Sequence, residues 1–364
     1  MGRTGGQSTL RGRSRSLWNS LTNERRAWRD GETAPPFAYR RTDANVRYVF
    51  RDGVWSPPLV TSGADVTLPL AAVCLHYGQA IFEGLKGFEH PDGTVHVFRP
   101  RDNAGRFRRS ALKLAMEPVP EELFLEGVFL AVRNNRRFVP ECGAGGSLYI
   151  RPVEIGVSAE LGLKPSREYL FAVFVVPVGS YFAGRGVPVR LLVREDLDRA
   201  APQGIGDVKA AANYAASLRG TVDAKARGYT EVLYTDARTK RFLDESGASN
   251  LFAVRGATLI TPASPSILPG ITRLCVQQLA RDMGLLVEDR PVSVDELPSF
   301  DEVGLSGTAA GIIPVHSITY REEEIVFGDR AAAPITTRLS AMLTAIQRGE
   351  AADAYGWCEA VPGT

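Results

Sequence analysis

Residues 206–218 read GDVKAAANYAASL and place a single lysine, Lys209, between a glycine turn and a run of alanines. Alanine has the highest helix propensity, so the stretch predicts a helix that extends to about Arg227. Small residues let other groups approach the backbone closely, whereas lysine is usually a surface residue. Two interpretations follow: Lys209 is a solvated helix residue, or it is an amine placed at a crowded helix start.

The overall composition fits a globular protein of about two domains. The chain has 364 residues, of which 44% are hydrophobic and 23% charged, so a sizeable core can form. A net charge of +2 argues against a dedicated nucleic-acid binder. No stretch approaches about 18 uninterrupted apolar residues, so no membrane span is expected. The four cysteines are far apart and form no CxxC pair, which predicts a reducing compartment, a cytoplasmic location and no structural metal.

The first 30 residues differ from the rest of the chain. They are rich in Arg, Ser and Gly, and they lack the apolar run of about 7–15 residues that a secretory signal needs. An organelle transit peptide can have this composition, and so can a disordered tail. We favour a disordered N-terminal extension over residues 1–30.

From residue 46 onward the pattern is mixed α and β. Two hairpins with Asp-Gly turn signals are predicted at 46–55 and 84–99, and two amphipathic helices at 102–116 and 121–135. Two long strands follow at 146–157 and 168–178. The second, EYLFAVFVVPV, is apolar enough to be buried on both faces.

The glycine-punctuated stretch GSYFAGRG, residues 179–186, marks the predicted domain linker. It divides the chain into a small α/β domain over 31–178, an interdomain loop over 179–188 and a larger domain over 189–364. The larger domain has predicted strands at 187–195 and 231–236, a hairpin at 250–262 and a helix at 271–285. A helix at 335–349 is expected to close the fold.

Several enzyme classes are excluded by their missing motifs. The four histidines have no metal-ligand spacing, no GxSxG elbow occurs, and GIGDVK at 204–209 fits neither the Walker nor the GxGxxG pattern. Two small-residue turns remain. In SILPGITR, Ile271 and Thr272 begin a helix with free backbone N–H groups, a natural phosphate site. SGTAAGIIPV, residues 306–315, is interpreted as a second helix start whose backbone could bind a phosphate.

A lysine beside a phosphate site, without a nucleotide motif, indicates pyridoxal phosphate (PLP). This cofactor needs a Schiff-base lysine, an acidic partner for its ring nitrogen and a phosphate cup. A helix N-terminus and burial both disfavour an ammonium ion, so Lys209 can supply a nucleophilic amine. In DESGASNLF, either Asp244 or Glu245 could be the acidic partner, and the residue pattern alone does not choose between them.

Seven motifs in one order carry a family resemblance, and they cover about residues 37–320. They are LHYGQAIFEGLKGF, FRPRDNAGRFRRSA, SLYIRPVEIG, GIGDVKAAANYAASL, DESGASNLF, ILPGITR and LSGTAAGIIPV. Their order resembles that of the branched-chain amino-acid aminotransferases among the fold-type IV PLP enzymes. The resemblance implies a two-domain α/β fold, with a small N-terminal α/β domain and a larger C-terminal domain that has a barrel-like β core.

The same resemblance implies roles for individual residues. Lys209 would be the Schiff-base lysine and would carry the proton to and from the substrate Cα. The remaining cofactor residues would be Tyr214 at the phenolic oxygen, Glu245 at the ring nitrogen, and Arg106, Ile271, Thr272 and Thr308 at the phosphate. The substrate pocket would comprise Phe37, Tyr77, Phe82, Tyr149, Arg151 and Tyr181, with the backbone N–H groups of Ala309 and Ala310 on the α-carboxylate.

The implied reaction is transamination between leucine, isoleucine or valine and 2-oxoglutarate, in a ping-pong cycle through pyridoxamine phosphate. A homodimer is implied, with Tyr77 reaching the partner's active site, and no nucleic acid, membrane or metal takes part. The chain departs from the family pattern at Arg41, at Ala211-Ala212 and at Ala248. An alternative is therefore a fold-type IV aminotransferase or lyase that acts on an unusual amino acid in a specialised biosynthetic pathway.

Overall fold

The fold is taken from a computed structural model, which describes residues 37–179, 188–328 and 332–364. The predicted extension over 1–30 lies outside the described residues, and so does most of the predicted interdomain loop. The described chain forms two sheets with helices packed against them, so the mixed α/β prediction is confirmed. In this part of the chain no helix has both the length and the apolar character to cross a membrane.

The first sheet is antiparallel throughout. Its strands are β1 Asn45–Arg51, β2 Val54–Trp55, β3 Leu59–Thr61, β4 Ala80–Phe82, β5 Leu85–Glu89, β6 Val95–Phe98, β7 Ser147–Gly156, β8 Tyr169–Val178 and β19 Cys358–Ala360. The helices of this part are α1 Val73–Tyr77, α2 Pro100–Lys113 and α3 Glu121–Arg133. Both predicted hairpins and both predicted amphipathic helices are confirmed.

Strand β8 corrects one expectation. Its residues alternate between buried and half-buried from Tyr169 to Phe174, and only the last four are buried throughout. The helices cover one face of the sheet, where Phe171 of β8 stacks on Phe124 of α3. Gly127 lets α3 approach closely, because a Cβ there would lie 3.1 Å from the Tyr48 ring. The opposite face of β8 has no helix against it in the described part of the chain, so two-sided burial was the wrong prediction for most of this strand.

The second sheet is mixed parallel and antiparallel. Its strands are β9 Arg190–Arg194, β10 Glu231–Thr235, β11 Leu243–Ser246, β12 Asn250–Arg255, β13 Thr258–Pro262, β14 Leu286–Arg290, β15 Glu302–Gly307, β16 Gly311–Pro314, β17 Ser317–Tyr320 and β18 Glu323–Val326. Side chains from several of these strands meet in one apolar core, as in a sheet that curls on itself. The helices are α4 Ala211–Ala226, α5 Ile271–Asp282 and α6 Pro334–Gln347.

The sequence led us to expect that the helix at 335–349 closes the fold, but one more strand follows α6. Strand β19 follows it and pairs with β6, so that the C-terminal residues return to the first sheet. The ring of Trp357, just before β19, packs against Phe98 of β6. A three-residue edge strand shows no alternation, which is why the pattern gave no sign of it. The domain division at residues 179–188 stays a prediction, although β19 crosses it.

Candidate active site

A cavity of about 310 Å³ lies where the two sheets meet, within the size range of small-molecule sites. Its lining includes every residue predicted to hold the cofactor: Lys209, Arg106, Tyr214, Glu245, Ile271, Thr272 and Thr308. Of the predicted substrate residues, it includes Phe37, Phe82, Tyr149, Arg151 and Ala309. Tyr77 and Ala310 are not part of this lining, and Tyr181 falls outside the described residues.

Lys209 lies two residues before helix α4 and not inside it, so the expected helix-start position is corrected by a short distance. The backbone at Lys209 and Ala210 forms hydrogen bonds with a neighbouring strand, as a β-strand does. The Lys209 N–H donates to the Ser110 hydroxyl at 3.1 Å, and the Lys209 carbonyl accepts from the Phe82 N–H at 3.2 Å. Ala210 then forms an isolated bridge with Ile81. The Lys209 backbone is therefore fixed against α2 and β4.

The Lys209 side chain ends beside two aromatic rings. Its Nζ donates to the Tyr214 hydroxyl at 2.7 Å, and Tyr214 lies in the first turn of α4. The same Nζ lies 4.9 Å from the centroid of the Phe82 ring. The amine thus has a hydrogen-bond partner and an aromatic wall, and it borders the cavity.

The structure separates the two adjacent acids in β11. Consecutive side chains of a strand point to opposite faces, and Glu245 lines the cavity whereas Asp244 does not. Glu245 is 4% exposed, and its Oε1 forms an ion pair with Arg199 Nη2 at 2.8 Å. Burial raises the pKa of Glu245 to about 7, and the Arg199 cation opposes that rise.

Two further groups fix the Glu245 carboxylate. The Leu268 backbone N–H donates to its Oε1 at 3.0 Å, and the Asn250 amide donates to its Oε2 at 2.7 Å. Asn250 is the residue paired with Glu245 across the β11–β12 turn. Gly270 is required beside it, because a Cβ there would overlap the Asn250 amide. A carboxylate held by this many donors has a single orientation towards the cavity.

The predicted phosphate site is built from a helix start and a buried cation. Helix α5 begins at Ile271 as predicted, and no side chain caps its N-terminus, so its first N–H groups remain available. Both Ile271 and Thr272 are buried. Helix dipoles and free N–H groups favour an anion at such an end.

Arg106 is buried, whereas its neighbours Arg108 and Arg109 are exposed on the same helix, α2. It forms a two-point ion pair with Glu83: Nε to Oε1 at 2.7 Å and Nη2 to Oε2 at 2.8 Å. Its Nη1 donates to the Pro269 carbonyl at 3.2 Å, just before α5. A guanidinium has five N–H donors, so two remain for an anion in the cavity.

The second predicted phosphate turn is not a helix start. Thr308, Ala309 and Ala310 form the turn of the β15–β16 hairpin, closed by the pairing of Gly307 with Gly311. Gly311 has a φ of 74°, which suits glycine after a three-residue hairpin turn. Gly307 lies against the loop after β11, since a Cβ would be 3.2 Å from the Ser249 hydroxyl. The turn still brings Thr308 and Ala309 to the cavity.

The other wall of the cavity is aromatic with one cation. The Phe37 and Tyr149 rings pack edge to face at 4.8 Å. Arg151 donates to the Tyr149 hydroxyl at 2.8 Å, and its guanidinium lies 4.7 Å from the Phe82 ring centroid. The Arg151 Nε is buried and has no hydrogen-bond partner, whereas the residue as a whole lines the cavity.

Two residues singled out in the sequence lie elsewhere. Tyr77 is 40% exposed at the end of α1, and its hydroxyl donates to the Leu161 carbonyl. Arg41 donates to the Ser62 carbonyl at 3.0 Å and lines a separate cavity on the outer face of the first sheet. The Arg41 departure therefore does not touch the cavity that contains Lys209, whereas Ala248 does line it.

Glu83, Arg199 and Asn250 are the structural partners that sequence reasoning missed. Each of them holds a predicted cofactor residue and is itself buried. Glu83 stands in the quoted motif IFEG, and Asn250 in ASNLF, so the motifs contained a signal for two of them. Arg199 lies 46 positions before Glu245 in an irregular loop, where no spacing rule applies.

The chemistry of this donor set fits PLP. The cofactor presents a phosphate, a ring nitrogen and an aldehyde. The cavity offers a buried arginine and a helix N-terminus for the phosphate, a buried carboxylate for the ring nitrogen, and an amine for the aldehyde. The described residues contain no group of three or more His, Cys, Asp or Glu side chains placed to hold a metal ion.

Comparison with known proteins adds an independent finding. The family model for amino-transferase class IV matches residues 80–318. Branched-chain-amino-acid aminotransferase 5, chloroplastic, of Arabidopsis thaliana is 42% identical over 308 residues, which are 84% of this chain and 74% of the relative. The branched-chain-amino-acid aminotransferase of Helicobacter pylori is 40% identical over 325 residues, 88% of this chain and 95% of the relative. The branched-chain aminotransferase of Thermoproteus uzoniensis, solved with norvaline, has a TM-score of 0.73 at 28% identity and covers 87% of this chain and 99% of its own.

Proposed function

The chain belongs to the class IV aminotransferase family, and on that premise we propose that it is a PLP-dependent aminotransferase for branched-chain amino acids. The observation that carries the proposal is the single cavity shared by the Lys209–Tyr214 pair, the Glu245 carboxylate and the start of α5. Transamination needs an amine, a ring-nitrogen partner and a phosphate anchor around one cofactor, and this cavity combines the three.

Bound PLP supplies an electron sink that stabilises negative charge at the substrate Cα. With PLP bound, Lys209 would be the residue that moves a proton at the substrate Cα, because its Nζ is the amine at this wall of the cavity. The Tyr214 hydroxyl, 2.7 Å from that Nζ, orients the amine. Ser110 and Phe82 hold the Lys209 backbone, so that only the side chain has to move.

Glu245 would be the acidic partner of the ring nitrogen of bound PLP. The Arg199 ion pair and the Asn250 and Leu268 donors keep its carboxylate in one place before the cofactor arrives. Arg106, Thr308 and the first N–H groups of α5 would hold the phosphate. Glu83 holds the Arg106 guanidinium in place at this end of the cavity through two hydrogen bonds.

Phe37, Phe82 and Tyr149 form the surface against which a branched aliphatic side chain packs. Arg151 is the cation on this wall, and its guanidinium suits the second carboxylate of 2-oxoglutarate. One pocket then accepts both an apolar and an acidic side chain, as a ping-pong transaminase requires. The α-carboxylate binds at the Thr308–Ala310 turn.

The proposal includes a homodimer in a cytoplasmic compartment. Tyr77 is exposed among other exposed apolar residues, Leu70, Leu75, Leu161 and Leu163, which would be covered by a second chain. We expect Leu163→Glu to convert a dimer into a monomer in light scattering, and an unchanged mass would contradict the dimer surface. All four cysteines are unpaired, which suits a reducing compartment, and fractionation of the host cell tests the location.

An amino-donor panel tests the function. The purified holoenzyme is mixed with each of the twenty amino acids, and loss of the cofactor's visible absorbance is followed by stopped flow. We expect fast conversion with leucine, isoleucine and valine, and product formation when 2-oxoglutarate is added. Slow conversion with all three, beside fast conversion with another amino acid, would favour the alternative of a specialised pathway. Elimination products in place of oxo acids would indicate a lyase.

A further inference from the structure

Lys86 is a second lysine at this site, and neither the motifs nor the proposed mechanism gives it a role. It lies in β5 opposite Tyr149 of β7. Its Nζ donates to the Ala309 carbonyl at 3.3 Å, so it reaches across from the first sheet to the β15–β16 turn of the second. It also lines a small cavity that adjoins the main one and shares Thr272 and Thr308 with it.

The environment of Lys86 is costly for an ammonium ion. Burial, together with a smaller repulsion from Arg348, lowers the pKa of Lys86 to about 8. No carboxylate forms an ion pair with it among the described residues, and the Ala309 carbonyl is its one hydrogen-bond partner there. Lys86 is half-buried and has no carboxylate partner among the described residues, so its ammonium is less well solvated than that of a surface lysine and packing alone does not account for it. Such groups concentrate at functional sites.

The turn that Lys86 contacts has little else to hold it. Thr308, Ala309 and Ala310 fall between the paired strands, and apart from the Lys86 contact no hydrogen bond reaches them from outside the hairpin in the described part of the chain. The described chain has no cis peptide bond, so the carbonyl and the N–H of each peptide group in this turn point to opposite sides. Whichever partner holds the Ala309 carbonyl therefore decides which way the peptide plane faces.

We propose that Lys86 is a positioning residue for the substrate α-carboxylate. This rests on the proposed function, which places that carboxylate at the Thr308–Ala310 turn. Lys86 draws the Ala309 carbonyl oxygen to its own side, so that the Ala310 N–H of the same peptide group, and not that oxygen, faces the carboxylate. Its charge also polarises the peptide group and strengthens the N–H as a donor. Without the cation, the peptide plane can rotate and present an oxygen that repels the anion.

The test compares a carboxylate ligand with a neutral one on the holoenzyme. The variants are Lys86→Met, which removes the cation, Lys86→Gln, which keeps a neutral donor, and Lys86→Arg, which keeps a charged donor. Lys225→Met, on the exposed end of α4, is the matched control. The probes are 4-methylvaleric acid and 4-methylvaleramide, which differ only in the carboxylate, and both are titrated against the cofactor's absorbance.

We expect Lys86→Met to bind the acid about tenfold more weakly, the size expected for a hydrogen bond to a charged group, and to bind the amide within about twofold of the parent. Lys86→Arg should retain most of the parent's affinity for the acid. Lys86→Gln should bind the acid with an affinity between those of Lys86→Met and the parent. KM for valine should rise while kcat changes little. The Lys225→Met control should match the parent with both probes.

Three results would overturn the inference. Equal weakening of the acid and the amide would mean that Lys86 only shapes the pocket. Unchanged binding of both the acid and the amide would mean that the turn keeps its orientation without Lys86. Loss of cofactor in place of loss of carboxylate affinity would assign Lys86 to the phosphate. If Lys86→Met does not fold, the ratio of acid to amide affinity in Lys86→Gln and Lys86→Arg decides. A parent enzyme that transaminates no amino acid would instead refute the proposed function.

Discussion

The Glu83–Arg106 ion pair provides the most quantitative test of how the site is built. Both side chains are almost fully enclosed, with exposures of 0% for Glu83 and 4% for Arg106. Glu83 accepts two hydrogen bonds from Arg106 and one from the Gly84 N–H. In Glu83→Gln, an amide NH₂ replaces one acceptor oxygen and faces a donor. We predict that this change lowers the free energy of unfolding by about 3–5 kcal/mol, because it leaves a buried guanidinium unpaired.

Urea unfolding of the cofactor-free protein, followed by circular dichroism, measures this loss. The matched control is Glu168→Gln, because Glu168 forms an ion pair with Arg51 at 2.8 Å, but with side chains that are 34% and 62% exposed. An exposed pair contributes about 0–1 kcal/mol, so the control should unfold almost as the parent does. The double variant Glu83→Leu/Arg106→Met should recover most of the stability while losing affinity for PLP. Equal losses for Glu83→Gln and Glu168→Gln would refute the reasoning.

Two further predictions concern the cavity walls. The folded-state pKa of Glu245 is about 7, above its ordinary value of 4.5, so the folded protein holds that proton more tightly than the unfolded protein does. The cofactor-free protein should therefore lose stability on the order of 3 kcal/mol as the pH rises from about 4.5 to about 7. Glu245→Gln should remove this part of the pH dependence in urea unfolding at pH 5 and pH 8, and an unchanged pH dependence would contradict the assignment. In Gly84→Ala the new Cβ would overlap the Tyr149 hydroxyl and displace that ring, so KM for valine should rise about tenfold or more. The control is Gly105→Ala, which should leave KM unchanged because the nearest atom to its new Cβ is 3.8 Å away. Steady-state kinetics on both variants decide, and equal KM values would show that the Tyr149 ring is free to move aside.

The sequence predicted the parts of the fold that local chemistry determines. The Asp52-Gly53 hairpin, the amphipathic pattern of α2 and the glycine before Ile271 each have a local physical cause, and each element lies where that cause placed it. Most of the residues that line the cavity also stand in the quoted motifs, although Arg199 lines it without a motif and Tyr77 and Ala310 are not part of the lining. The catalytic and binding roles of those residues stay predictions until they are measured.

What the sequence did not show depends on contacts between distant segments. The partnership of Arg199 with Glu245, and of Lys86 with Ala309, joins residues 46 and 223 positions apart and leaves no periodic trace. The one-sided burial of β8 could not be read from its apolar composition, because it depends on which face α3 covers. The residue pattern alone left the choice between Asp244 and Glu245 open; the family resemblance implied Glu245, and the structure shows that Glu245, and not Asp244, lines the cavity.

The covalent attachment of the cofactor to Lys209 is the central claim of this account. The protein is incubated with PLP, reduced with sodium borohydride and digested, and the peptides are analysed by mass spectrometry. We predict a pyridoxyl group on Lys209, stoichiometric with the chain and absent from the Lys209→Ala variant. Labelling of another lysine in the parent protein, with Lys86 as the nearest rival at this site, or equal labelling of Lys209→Ala, would contradict the account.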